Sequence, residues 1–331
     1  MSYRWLDMTE SVSVVVSTYN RSEKLKECLE SLFDQSYPKD KYEVIVVNDG
    51  SSDNTEDVLK ECAKKAPCEF RWLTQENRGA AAARNRGIRS AKKDIICFID
   101  DDCIADKCWI ENLVKGFDDE TVGGAGGRIL AHNSRSLVER YLESKMDQEV
   151  AINLFSFVAT GNAAYRRHVL EKLGGFDESF KSSEDNDLGI RVRLAGYKLK
   201  YVPEAVVYHK HETTIKDLIK KYYRYGTGLS CLAKKYLYFS LKEIFIFLVF
   251  KLGLNITSIF GIIVASNKKQ KLVERILNII SISSYIAGIL GGYLFLSYPK
   301  EKVIDDKLDF LKSLKDELNL QAKIKSKLKI R

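Results

Sequence analysis

Four short runs rich in β-branched and aromatic residues, Val12–Ser17, Val44–Val47, Phe70–Leu73 and Ile95–Ile99, alternate with stretches of helical character. After a break at Tyr19-Asn20-Arg21-Ser22, Leu25, Leu29, Leu32 and Phe33 recur at helical spacing, and Thr55–Lys65 and Ala80–Ser90 read as two further helices. This rhythm predicts an α/β fold: a mostly parallel sheet with helices on both faces, since parallel neighbours need a crossover long enough to hold a helix. Such sheets bind ligands at the carboxyl edge of their strands. The fourth run ends in Asp100, Asp101 and Asp102. Hard oxygen ligands of this kind suit Mg2+ or Mn2+ holding a diphosphate, and do not suit zinc. A solvated acidic turn is the bland reading of the same triplet. Because neighbours on an extended chain alternate faces, Asp101 is expected to point away from Asp100 and Asp102.

Downstream, Trp109–Phe117 has helical spacing, and Val122–Ile129 is a strand or bend crowded with Gly123, Gly124, Gly126 and Gly127. These glycines lack dinucleotide-loop spacing, because Ile129 stands where the last glycine belongs, so they predict close backbone packing. Leu137–Val150 is helical by periodicity, and Phe157–Tyr165 carries the small-residue turn Thr160-Gly161-Asn162. Val169–Leu173 is a helix closed by Gly174-Gly175. Ser183-Glu184-Asp185-Asn186-Asp187 opens a helix over Leu188–Ala195, and Tyr201–Tyr208 is the last strand.

After His211 the character changes. Ile215–Tyr236 is basic and aromatic, Ile244–Ala265 spans 22 residues with Lys251 as its only charge, and Ile276–Tyr298 spans 23 with none. Roughly 20 apolar residues cross a bilayer's hydrocarbon core, so a membrane hairpin is expected, with burial in a large soluble domain as the competing reading. Ile304, Leu308, Leu311 and Leu318 in the tail suggest an amphipathic helix with a basic end. The net charge of +8 is modest for 331 residues and concentrates around these segments, which points to membrane lipid with an anionic surface and not to nucleic acid. Seven cysteines without a Cys-x-x-Cys pair suggest free thiols in a reducing cytosol. Met1–Ser11 has no apolar core like that of a signal peptide, so the N-terminal part is expected on the cytosolic side.

Four stretches, Val14-Val15-Val16-Ser17-Thr18-Tyr19-Asn20, Val46-Val47-Asn48-Asp49-Gly50-Ser51, Asn77-Arg78-Gly79 with Ala83-Arg84-Asn85, and Asp100-Asp101-Asp102, resemble the nucleotide-sugar half of family 2 glycosyltransferases. Gly161-Asn162, Gly174-Gly175-Phe176-Asp177, Glu184-Asp185-Asn186-Asp187-Leu188 and His209 resemble the acceptor half, in order, over about residues 11–211. The resemblance implies the GT-A fold, which is Rossmann-like, and an inverting transfer of sugar from a nucleotide-diphosphate donor. The acceptor would be a hydroxyl or phosphate, polyprenyl-linked or on a glycan. It also implies donor contacts at Thr18, Tyr19, Asn20, Asp49, Arg84 and Asp100, and an acceptor side at Gly161, Asn162 and Glu184. The metal would sit on Asp102, Asp100 and His209, and Asp185 would be the general base. Asn48 departs from the family's usual Asp-Asp pair, so base or ribose contacts are expected to differ. Helix caps for Asn20, Glu184, Asp185 and Asp187, and a plain surface role for Arg84, are the bland counterparts.

The expected organisation is a transferase domain over residues 1–211, a basic aromatic connecting helix over 212–240, two hydrophobic membrane helices over 241–299 and an amphipathic basic tail over 300–331. That arrangement places the protein at the cell membrane with its catalytic domain on the cytoplasmic face. A processive polysaccharide synthase would carry Gln-x-x-Arg-Trp where Lys221-Tyr222-Tyr223-Arg224-Tyr225 stands. A nucleotidyltransferase would show a basic glycine-rich loop in place of Ser17-Thr18-Tyr19-Asn20. A non-catalytic sugar-nucleotide-binding membrane protein would have no need of Asp102, Asp185 and His209 together.

Overall fold

The computed structural model describes residues 10–143, 145, 147–237 and 268–295. Two compact units divide the chain: Met1–Ser134, Glu143–Glu178 and Glu184–His211 form the first, and Arg135–Leu142, Ser179–Ser183 and Glu212–Arg331 the second.

In the first unit the four β-branched runs become β1 (Val12–Thr18), β2 (Tyr42–Asn48), β3 (Glu69–Thr74) and β4 (Ile95–Asp100), joined by α1 (Ser22–Phe33), α2 (Thr55–Lys65) and α3 (Ala80–Ser90). These strands lie side by side and parallel, in the order β3-β2-β1-β4. Alternate residues feed two cores. Val12, Val14 and Val16 pack with Leu25, Leu29 and Leu32 of α1, whereas Val15, Ile96 and Phe98 pack with Ala81 and Ile88 of α3. Apolar side chains on both faces are what a covered parallel strand requires. The small residues of α3 let it settle close to the sheet: a Cβ on Gly87 would lie 2.3 Å from Val15 Cγ1.

Beyond β4 come β5 (Cys103–Ala105), α4 (Trp109–Lys115), β6 (Val122–Ala131), α5 (Leu137–Glu143), α6 (Gln148–Phe155), β7 (Ala163–Arg166), α7 (Arg167–Leu173), α8 (Glu184–Leu194) and β8 (Lys198–His209). They extend the sheet to eight strands in the order β3-β2-β1-β4-β7-β6-β8-β5. The sheet is mixed, because β7 runs antiparallel to both β4 and β6, and β5 antiparallel to β8. The single helix expected over Leu137–Val150 is two. The Asp147 side chain accepts from Val150 N–H and so starts α6 afresh, as a capping carboxylate does. Helix α8 begins earlier than its apolar pattern suggests, taking Glu184 and Asp185 into its first turn.

Register determines the functional edge. Thr18 lies opposite Asn48, Asn48 opposite Thr74, and Ser17 opposite Asp100, so the polar strand ends form one row. Pairing of β5 with β8 sets Cys103 opposite His209, and the Lys210 N–H donates to the Asp102 carbonyl at 2.9 Å. A histidine from the end of the last strand thereby arrives beside the carboxylate triplet.

The second unit contains α9 (Ile215–Leu232), which widens into a π turn over Ala233–Leu237, and α10 (Lys268–Phe295). The Thr214 side chain caps α9 by accepting from Asp217 N–H. Leu218 and Leu277 share an apolar cluster with Val138, Tyr141 and Leu142 of α5. Within α10, Leu272–Leu294 is long and apolar enough to cross a membrane by length and composition, with 23 residues of mean hydropathy 1.5. The expected first hydrophobic segment, Ile244–Ala265, and the tail from Lys300 lie outside the described residues. None of the seven cysteines is in a disulfide.

The glycines of β6 sit where other chains press in. A Cβ on Gly127 would lie 1.9 Å from the Ala205 carbonyl oxygen and 2.5 Å from Asn162 Nδ2. Gly127→Ala is therefore expected to destabilise the fold by about 1–3 kcal/mol or more, as overpacking does. Thermal unfolding measures it, and an unchanged midpoint would contradict the close approach.

Candidate active site

β4 ends at Asp100 and the chain turns over Asp101 and Asp102, so the side-chain alternation of an extended strand stops there. Asp101 consequently does not point away from Asp102. Arg21 Nη1 donates to Asp101 Oδ1 at 3.0 Å and to Asp102 Oδ2 at 2.9 Å, while Thr18 Oγ1 donates to Asp101 Oδ2 at 2.8 Å. Lys24 Nζ adds a second cation 3.6 Å from Asp102 Oδ2. Burial nevertheless pushes the Asp101 carboxyl up to about 6, against the pull of Arg21.

Asp100 faces another partner. Arg84 Nη2 donates to its Oδ1 at 2.9 Å, and Arg84 Nη1 donates to Glu184 Oε1 at 2.7 Å. The guanidinium is buried and lies 5.7 Å from the centre of the Phe176 ring. Burial alone would raise Asp100, but the Arg84 charge holds it below the usual carboxylate range. The other end of the fork holds Glu184 in the first turn of α8, next to Asp185. Burial, reinforced by the Glu184 carboxylate, pushes Asp185 up to about 7. Asp185 Oδ1 accepts from Asn186 N–H at 2.9 Å. A carboxylate with a pKa near neutrality is poised to accept a proton.

On the far oxygen of Asp102, Oδ1 lies 3.4 Å from His209 Nε2. Cys103 completes a group whose ligand atoms fall within 4.8 Å of one another. Asp100, expected as a further ligand, stands outside this group, and Arg84 holds its Oδ1. Burial raises the Cys103 thiol well above its ordinary value, so it stays protonated and is a poor ligand for a hard cation. The usable donors are one carboxylate oxygen and one imidazole nitrogen, a set that fits Mn2+ or Mg2+ completed by phosphate and water. The other nitrogen, His209 Nδ1, is 2.9 Å from His211 Nδ1, which leaves Nε2 directed at Asp102.

The donor-side residues meet along the β1–β2 edge. Tyr19 is half exposed. Asn20 adopts a left-handed φ of 53°, donates from its N–H to Ser51 Oγ at 2.9 Å, and accepts at Oδ1 from Ser52 N–H at 2.7 Å. Asp49 accepts from Gln75 Nε2 at 2.7 Å and from the N–H groups of Arg78 and Gly79 at 2.9 and 2.8 Å. It thereby shapes the loop that leads into α3.

Of the three expected acceptor-side residues, Glu184 is held in the Arg84 fork and Gly161 also lies beside the carboxylates: a Cβ there would sit 3.2 Å from Asp100 Oδ2. Asn162 is fully buried. Its Oδ1 accepts from Trp109 Nε1 at 2.8 Å, and its Nδ2 donates to the Arg128 and Ala205 carbonyls at 2.9 Å each. Its side chain holds β6, β8 and α4 together and is not offered to an acceptor. Sequence reasoning missed Arg21, Lys24 and Asn85. Asn85 exchanges hydrogen bonds with the Phe176 backbone, its Nδ2 donating to the carbonyl and its Oδ1 accepting from the N–H, both at 2.8 Å. One turn of α3 thus carries both the Arg84 fork and the tether of the Gly174–Asp177 loop. The Ala83-Arg84-Asn85 motif held that signal.

The chain matches the family model for glycosyl transferase family 2 over residues 13–174, and that for glycosyl transferase family group 2 over residues 95–298. It is 31% identical over 220 residues to glycosyltransferase AglE of Haloferax volcanii, covering 66% of this chain and 72% of that one. It is 24% identical over 248 residues to a Methanococcus voltae protein, covering 68% and 74% of the two chains. That relative is named dolichyl N-acetyl-alpha-D-glucosaminyl phosphate 3-beta-D-2,3-diacetamido-2,3-dideoxy-beta-D-glucuronosyltransferase. Other relatives are longer, and the chain spans 59% of one and 48% of another. A solved mannosyltransferase, PcManGT from Pyrobaculum calidifontis in complex with GDP-Man and Mn2+, superposes with a TM-score of 0.58. At 22% identity over 88% of this chain and 77% of that one, it shares the fold. The chain belongs to glycosyltransferase family 2 and is a glycosyltransferase of the GT-A fold.

Proposed function

We propose that this glycosyltransferase moves a sugar, with inversion, from a nucleoside-diphosphate donor to a lipid-linked acceptor at the cytosolic face of a membrane. The observation that carries the reading is the Arg84 fork, which ties the base candidate's neighbour Glu184 to Asp100 at the same sheet edge as Asp102 and His209. In this reading Thr18, Tyr19, Asn20 and Asp49 surround the base and ribose, and Arg84 and Asp100 face the diphosphate. Gly161 leaves room beside Asp100 for the sugar. The acceptor oxygen bonds to the anomeric carbon as the bond to the diphosphate oxygen breaks, and its proton passes to Asp185. A divalent cation held by Asp102 and His209 would neutralise charge on the departing diphosphate. Asp185 as the base, with the neighbouring carboxylates Asp100 and Glu184 both held by Arg84, favours a single displacement, hence inversion. The GDP-Man and Mn2+ of the fold neighbour, and the dolichyl phosphate in the Methanococcus voltae relative's name, support the donor, metal and acceptor classes. The apolar Leu272–Leu294 stretch supports membrane association.

Three outcomes are expected. Asp185→Asn should lower transfer by about 10²–10⁴-fold while donor affinity holds, because it removes a base and keeps the size. Transfer within a few-fold of wild type, or an NMR spectrum of first-formed product with retained configuration, would refute the assignment.

Because Asp185 is raised to about 7, it carries a proton in acid and becomes competent as pH rises. The pH profile of kcat/KM should climb through about 7 and level above it; a profile flat across neutrality would remove Asp185 from the rate-determining proton transfer.

Calorimetry of nucleotide-sugar binding should lose its signal in EDTA, and Asp102→Ala should weaken metal affinity by at least an order of magnitude. Equal affinity with and without chelator would eliminate the metal.

A further inference from the structure

In the second unit α9 and α10 run in the same direction, packed along their length. Leu218 shares a cluster with Leu277, and Tyr222 stands beside Ser281. Further along, a Cβ on Gly226 would lie 2.0 Å from the Tyr285 carbonyl oxygen, and one on Gly292 2.1 Å from Ser230 Oγ. Lys234 Nζ closes the seam by donating to the Gly292 and Tyr293 carbonyls at 3.0 and 2.8 Å. Gly288 and Gly292 form the small-xxx-small spacing that lets helix backbones meet.

The outer side of α9 is divided lengthwise. Ile215, Ile219 and Tyr223 recur every fourth residue, all exposed, and beside them Lys216, Lys220 and Arg224 recur at the same spacing, also exposed. Asp217 is the acidic neighbour, 3.8 Å from Lys220. Tyr223 carries the apolar stripe across to α10, since a Cβ on Gly291 would lie 2.6 Å from its hydroxyl. There Leu290 and Leu294 are exposed in turn, and Leu272, Ile276 and Ile279 continue an exposed apolar line along α10.

This packing constrains how α10 meets a bilayer. Arg224 falls between Tyr222, level with Ser281, and Gly226, level with Tyr285, so it stands beside the middle of the Leu272–Leu294 stretch. Were α10 to cross, an exposed guanidinium would sit near the centre of the hydrocarbon, with Lys220 one turn away, where charged side chains are strongly disfavoured. Laid flat, the same pair puts apolar residues into the headgroup boundary and basic residues against lipid phosphates.

We propose that α9 and α10 form a monotopic anchor lying along an anionic bilayer surface, with Ile215, Ile219 and Tyr223 entering the lipid and Lys216, Lys220 and Arg224 meeting its phosphates. The inference rests on the membrane association proposed above and adds the lipid class and the orientation.

The test uses the full chain. It should bind vesicles made of equal parts phosphatidylcholine and phosphatidylglycerol in preference to vesicles of phosphatidylcholine alone. The variant Lys216→Gln/Lys220→Gln/Arg224→Gln should lose that preference, by roughly two orders of magnitude, with nucleotide-sugar binding retained as evidence of folding. In sealed membrane vesicles an impermeant maleimide should label Gln270→Cys and Ser297→Cys variants from the same side, above the labelling of the parent chain. Equal binding to both vesicle types, or labelling from opposite sides, overturns the monotopic anchor while leaving membrane association intact. A chain that binds neither vesicle type overturns both.

Discussion

Six carboxyl groups, Asp49, Asp100, Asp101, Asp102, Glu184 and Asp185, converge on one edge of the sheet, and the local structure is organised by how their charge is balanced. Clustered carboxylates in a low-dielectric setting repel one another and resist ionisation unless each finds a cation or a set of N–H donors. Each is handled differently. Asp49 takes donors from the loop after β3, Asp101 and Asp102 share Arg21, and Asp100 and Glu184 share Arg84. Asp185 has only a short backbone hydrogen bond beside it and keeps a raised pKa. Asp185, bonded to neither Arg21 nor Arg84, is the one proposed to accept a proton.

Helix α3 distributes this balance. Its small residues bring it against β1, so Arg84 is delivered buried and its fork has fixed geometry before any ligand arrives. Asn85 on the same turn holds the Phe176 backbone, so one helical turn positions both the Arg84 guanidinium and the aromatic ring 5.7 Å from it. Breaking a buried pair of this kind leaves an uncompensated charge, which costs far more than a surface salt bridge does. Substitution of Arg84 would therefore disturb folding together with the donor contact proposed for it, whereas Asp185→Asn tests the proposed proton transfer alone.

The half of the sheet built from β-branched runs was legible in the sequence, because each run was long, apolar on both faces and punctuated by polar strand ends. Elements with little local signal were not. β5 is three residues long, and its pairing with β8 depends on a contact more than a hundred residues away. The periodicity over Leu137–Val150 concealed a new helix start at Asp147. Within the site, Asp102, His209, Arg84 and Asp185 lay in motifs that named them. Asp101 was misplaced because strand alternation was carried through a turn. Asn162 was assigned by its motif to the acceptor side, yet its side chain bonds to three partners in the interior. Arg21 read as a loop residue because nothing local reveals that its guanidinium reaches two carboxylates distant in sequence.

The two oxygens of Asp102 resolve what would otherwise be a conflict. A carboxylate already neutralised by Arg21 and Lys24 should attract a divalent cation poorly, yet these cations sit at Oδ2 while Oδ1 faces His209. A metal entering from the histidine side would not have to displace them. Electrostatic attraction to the cation is weakened by the flanking positive charges, but the same charges favour the incoming diphosphate, whose negative oxygens would otherwise meet the carboxylates at this edge. On the proposed reading the arrangement would link the two ligands: Asp102 repels a diphosphate alone, and a metal bound at Oδ1 would remove that repulsion. Reciprocal tightening of metal and donor would follow on that reading, because any interaction that improves one ligand's affinity in the presence of the other must act equally in both directions.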